Sequence, residues 1–125
     1  MKRACKPGGR IVVADMAPHP SKANALNAAE RLRDPSHVRA MPEDELCGLF
    51  AQAGLATPQI NHYRMEGELE DLLSRSFPNE GDADRLRRMY ADSIDDNALD
   101  LNTRRADGKI FYSLPVAVLV AQKSN

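Results

Sequence analysis

Hydrophobic positions along the chain fall into short bursts of two kinds, separated by proline, glycine and acidic residues. The first burst, Ile11-Val12-Val13-Ala14, is continuous and is bounded by Pro7-Gly8-Gly9 and Asp15. An unbroken apolar run of this length predicts a strand over residues 10–15 covered on both faces, as in a parallel sheet. Pro18 and Pro20 predict a loop after it. Ser21 suits a helix N-cap. Ala25, Leu26, Ala29 and Leu32 then recur at helical spacing, and Asp34-Pro35 closes the helix after Arg33. Pro42 at a first helical position, followed by Glu43, Asp44 and Glu45, opens a second helix. Its buried stripe is Leu46, Leu49, Phe50 and Ala53, and Gly54 suits a left-handed C-terminal cap.

Residues 57–65 change period. Gln59 and Asn61 flank Ile60, and Tyr63 and Met65 extend the apolar side, which predicts a strand with one wet face. Leu69, Leu72, Leu73 and Phe77 return to helical spacing until Pro78. After Asn79-Glu80-Gly81, Asp82 can cap a helix carrying Leu86, Met89, Tyr90 and Ile94. Asp107-Gly108 is a hairpin-turn signal, with residues 101–103 and 110–112 as flanks able to pair. Residues 116–122 form a last apolar strand. The order is strand, helices, strand, helices, strand, an α/β pattern without internal repeats.

The chain has 125 residues, enough for one domain with a single core, and is 42% hydrophobic and 28% charged. Aromatics make up 5% and Trp is absent, so the core is aliphatic. A formal net charge of −1 gives no general attraction to nucleic acid or anionic membrane. Arg85, Arg87, Arg88, Arg104 and Arg105 sit among acidic residues and read as solvated faces. The two cysteines, Cys5 and Cys47, have no metal-ligand or redox spacing, and no metal site is expected. No apolar run approaches the roughly 20 residues of a membrane span. The basic start lacks the apolar stretch of a signal peptide. A cytoplasmic location is expected.

Lys6-Pro7-Gly8-Gly9-Arg10-Ile11-Val12-Val13-Ala14-Asp15 resembles the entry to the fifth strand of class I S-adenosylmethionine-dependent methyltransferases. Three further segments resemble that family at matching distances. Asp34-Pro35-Ser36-His37-Val38-Arg39 is similar to a segment of the branch related to ubiquinone and menaquinone biosynthesis. Pro42-Glu43-Asp44-Glu45-Leu46 through Ala53-Gly54-Leu55 is similar to the next helix. Ala106-Asp107-Gly108-Lys109 through Gln122-Lys123 is similar to the closing hairpin. The resemblance covers essentially the whole chain. It implies the C-terminal half of a Rossmann-like methyltransferase fold. The expected sheet is three-stranded and mixed, ordered first, last, second strand, with the last antiparallel to the others and helices packed on it. Residues 1–125 are then a single partial domain.

The family binds S-adenosylmethionine through a glycine-rich loop after its first strand and an acidic residue ending its second. No such glycine-rich loop is present, because Gly8-Gly9 precedes a strand rather than a helix, and no cofactor-binding residue is assigned to any position. The complete family enzyme uses S-adenosylmethionine and a small-molecule methyl acceptor. This chain alone is expected to bind no cofactor and to be inactive.

Ligands of open α/β sheets sit beyond the carboxyl ends of the strands, where Asp15 and Met16 fall. The resemblance implies that the loop after this strand lines the acceptor pocket, which makes Asp15 and Met16 candidate substrate contacts. Asp15 capping the following turn is the alternative. His37 is the candidate catalytic base; bonding its own loop backbone is the competing role. His19 and His62 are weaker candidates, and His62 reads as simply exposed. The scattered Met residues and the Leu69, Leu72, Leu73 stripe read as core. The first strand lacks the neighbour that a whole methyltransferase would give it, so Ile11-Val12-Val13 leaves an apolar edge and a homodimer is expected. A noncatalytic module that dimerises, or complements a partner carrying the cofactor half, is the alternative function.

Overall fold

The computed structural model describes residues 2–124. Strand β1 (Arg10–Met16) is followed by a 3-10 turn (Pro20–Lys22) and helices α1 (Ala23–Arg33) and α2 (Glu43–Gln52). Strand β2 (Gln59–Glu68), helices α3 (Leu69–Ser74) and α4 (Asp82–Asp96), and strands β3 (Arg104–Ala106) and β4 (Lys109–Gln122) complete the order.

The α/β class and the order β1-β4-β2 match the sequence reading. The sheet itself corrects it. Four strands are present, not three, and every paired edge is antiparallel, so the sheet is not mixed. The reason is topological. β1 and β2 run in the same direction, but β4 lies between them and opposes both, so no parallel ladder forms. The fourth strand comes from the Asp107-Gly108 turn, whose residues both take positive φ (51° and 72°) as a tight hairpin requires. That turn pairs β3 with Lys109–Phe111 rather than pairing residues 101–103.

β4 spans 14 residues, twice the length expected, because Pro115 does not interrupt it. Backbone N and O of one antiparallel strand residue face the same neighbour. Pro115 O accepts from Ala17 N at 2.8 Å, so Pro115 N faces the β1 side. The β1 ladder stops one residue away, at Met16 opposite Val116, so the missing N–H costs only the return bond of the terminal Ala17–Pro115 pair.

Alternation along β4 divides the interior in two. Ala117, Leu119 and Ala121 face α2 and pack with Ile11, Leu46 and Phe50. Ile110, Tyr112 and Leu114 face the opposite side and pack under α1, α3 and α4, with Leu26, Leu73, Leu86 and Tyr90. α4 begins at Asp82 after Gly81, which takes φ 83° as the N-cap itself. Phe77, expected in the α3 stripe, is 78% exposed, since α3 ends at Ser74. No helix of the described residues is long and apolar enough to cross a membrane.

Candidate functional site

The loop leaving β1 forms one wall of a cleft of about 830 Å³. Ala17, Pro18, His19 and Pro20 supply this wall, and Pro115 and Val116 of β4 lie beside it. Glu43, Asp44 and Cys47 of α2 lie opposite, and His62, Tyr63 and Arg64 come from β2. The cleft therefore sits beyond the carboxyl end of β1, where open α/β sheets hold ligands, and its size suits a small organic molecule.

Asp100 fixes the loop. Its Oδ2 accepts the His19 backbone N–H at 2.8 Å, and its Oδ1 accepts from Arg64 Nη2 at 2.9 Å. Arg64 Nη1 also donates to the carbonyls of Asp100 (2.7 Å) and Ser113 (3.1 Å). Asp100 is buried, and these charge-assisted bonds offset the loss of its hydration. Arg64 and Asp100 thus satisfy each other and tie the β1 loop to β2. The Nδ1 of His19 is likewise engaged, accepting from Ser21 N at 3.2 Å and lying 2.8 Å from Ser21 Oγ.

Across the cleft, His62 Nε2 is hydrogen-bonded to Glu43 Oε2. Register places His62 opposite Ala117, on the face that α2 covers, so the first turn of α2 meets it. The Cys47 thiol is pushed above its ordinary value, first by burial and then by the nearby Glu43 and Asp44 charges. Less thiolate is present, which disfavours a nucleophilic role at neutral pH.

The residues singled out from the sequence are not brought together. Asp15 is exposed at the end of β1, and its Oδ1 accepts from Met16 N at 2.8 Å. Met16 packs against the core under α1, α3 and α4. Neither lines the cleft; the four residues that follow them do. His37 stands apart in the loop after α1, where its Nε2 lies 2.8 Å from Asn27 Oδ1. Asn27 is buried in α1 and also accepts from Ala40 N (2.6 Å) and donates to Ala40 O (2.9 Å) and Ala23 O (2.8 Å). His37 is thereby held in the packing of its loop. No sequence spacing links Glu43, Cys47 and His62 as one site. The available signal was strand parity, which puts His62 on the same face as apolar Ile60. Among the described residues no group of three or more His, Cys, Asp or Glu could hold a metal ion.

No protein-family profile matches the chain. The uncharacterized protein YafE of Escherichia coli K12 is 29% identical over 126 residues, covering 99% of this chain and 59% of YafE. The YcgJ protein of Bacillus subtilis superposes with a TM-score of 0.81 at 20% identity, over 96% of this chain and 53% of that one. A candidate methyltransferase of Bacillus halodurans C-125 superposes with a TM-score of 0.80 at 19% identity, over 96% of this chain and 58% of its own. These likenesses establish a methyltransferase-like α/β fold. The chain spans little more than half the length of the proteins it matches.

Proposed function

We propose that this chain is the acceptor-binding half of a methyltransferase that acts on a small molecule and uses S-adenosylmethionine. The observation that carries the reading is the cleft beyond the carboxyl end of β1, in a fold that superposes on a candidate methyltransferase. The Asp34-Pro35-Ser36-His37-Val38-Arg39 segment supports a place near the quinone-biosynthesis branch.

The described residues do not fit the cofactor. Close approach of a backbone to such a ligand calls for glycine, and no glycine lines the cleft. Gly67 is filled by the Tyr112 ring, and Gly9 lies against Cys5 and Lys6, away from the cleft. The cofactor-binding residues are therefore assigned to polypeptide beyond those described here, and the chain alone is proposed to be inactive. Its own residues shape the acceptor side: Arg64 and Asp100 hold the β1 loop, and Pro20 with Tyr63 supplies apolar surface.

Calorimetric titration with S-adenosylmethionine tests this. The chain alone is expected to show no binding. The chain joined to the part of YafE that it does not cover is expected to bind one equivalent. Stoichiometric binding by the chain alone, or none by a folded fusion, overturns the reading.

A further inference from the structure

We propose that His62, backed by Glu43, is the proton-accepting group of the cleft and engages a neutral small molecule that carries a weakly acidic O–H or N–H. The inference deepens the acceptor-side reading and rests on it.

Two imidazoles line the cleft. The Nδ1 of His19 already accepts from Ser21 N and meets Ser21 Oγ. His62 uses Nε2 toward Glu43. A carboxylate only accepts, so the bond fixes the proton of neutral His62 on Nε2 and leaves Nδ1 as the lone-pair nitrogen. That Nδ1 has no protein partner among the described residues. The arrangement is a base oriented by a carboxylate, set within a cavity rather than on a convex surface.

The walls define the ligand. Arg64, the cation of the cleft wall, is spent on Asp100 and on two backbone carbonyls. Asp44 at the rim adds negative charge. An anion thus finds no cationic partner here, whereas a neutral molecule does not need one. Pro20, Tyr63 and Val116 offer apolar surface to a flat body. The step is a simple proton transfer. The ligand X–H bond breaks, an N–H bond forms at Nδ1, and the electron pair stays on X. Glu43 keeps the Nε2–H and faces the positive charge that arrives.

The test uses 4-nitrophenol, whose phenolate absorbs visible light, near its own titration midpoint, with 4-nitroanisole as the analogue that lacks the acidic proton. The intact chain is expected to bind 4-nitrophenol saturably with a gain of phenolate absorbance. It is expected to bind 4-nitroanisole about tenfold more weakly, as the loss of one hydrogen bond to a charged group implies. His62→Gln should abolish the gain and weaken binding about tenfold. Glu43→Gln, which keeps an acceptor but no charge, should reduce the gain. Both side chains are solvent-accessible, so neither variant threatens folding. Equal affinity for the two probes, an unchanged gain in His62→Gln, or no saturable 4-nitrophenol binding overturns the proposal. The titration needs no S-adenosylmethionine. A lost signal with cofactor binding intact in the fusion sinks this inference alone, and the converse sinks the methyltransferase reading alone.

Discussion

Asn27→Ala tests how the loop between α1 and α2 is held. Asn27 is 3% exposed, and its amide does the work that a strand would do elsewhere. It accepts from Ala40 N, donates to Ala40 O, and meets His37 Nε2, which makes three bonds to a loop without regular structure. Each such bond contributes about 1 kcal/mol net. Ala40 is itself buried, so the alanine variant also strands a backbone N–H and C=O away from water. The expected loss is about 3 kcal/mol, and the desolvated pair pushes it higher rather than lower. That is a sizeable share of the roughly 5–15 kcal/mol of a typical domain. Urea unfolding monitored by circular dichroism should show a lower midpoint at unchanged slope, and thermal melting a fall of roughly 10 °C. Amide exchange at Ala40 should rise well beyond the global change. A stability within about 0.5 kcal/mol of the parent, with Ala40 still protected, would show that the loop is held by packing alone and refute the reasoning.

Three other expectations follow from the same structure. A Cβ at Gly67 would lie 2.4 Å from Tyr112 Cζ, and Tyr112 is wedged edge-on against Tyr90 (5.8 Å, 85°), so Gly67→Ala should cost about 1–3 kcal/mol in denaturant melts, and a Tyr112→Leu background should recover part of it. The Glu70 carboxyl is held below the usual carboxylate range, chiefly by its hydrogen bonds from Arg87. Its contribution is therefore complete above about pH 4.3 and fades as pH falls through the lowered folded value. Arg87→Ala should flatten that acid loss in pH-dependent unfolding, by under about 1 kcal/mol because both groups are exposed. Light scattering after size exclusion should find a dimer joined at the β1 edge, where Val12 is 51% exposed, and Val12→Lys should shift it to monomer; a monomeric parent would count against the edge contact.

Legibility in the sequence followed the range of the interactions. β1, the Asp107-Gly108 turn and the Gly54 cap rest on local chemistry and all three sit where the pattern puts them, but β1 buries Ile11 and exposes Val12 rather than being covered on both faces. The strand order came from the family resemblance rather than from any local signal. The length of β4 is not legible because a proline usually bars a central strand, and only the end of β1, about a hundred residues earlier, confines the loss to one terminal bond. Leu49 fits the helical stripe of α2 yet is 45% exposed. The site was the least readable part. Glu43 and His62 lie 19 residues apart and meet only through the register of β2 on β4 and the seating of α2. The Asp100 contact to His19 spans 81 residues. No spacing rule encodes such distances.

The position of β4 also bears on the chain's synthesis. β1 and β2 each find their hydrogen-bonding partner in β4 among the described residues, and β4 is the last strand to be made. A ribosome extending this chain therefore releases β1 and β2 before residues 109–122, their shared partner among the described residues, emerge. The sheet must close after translation has passed them, through contacts of large sequence separation, which folds slowly. Until then the Ile11-Val12-Val13 run of β1 lacks its β4 ladder, the kind of unpaired apolar segment through which nascent chains meet their neighbours.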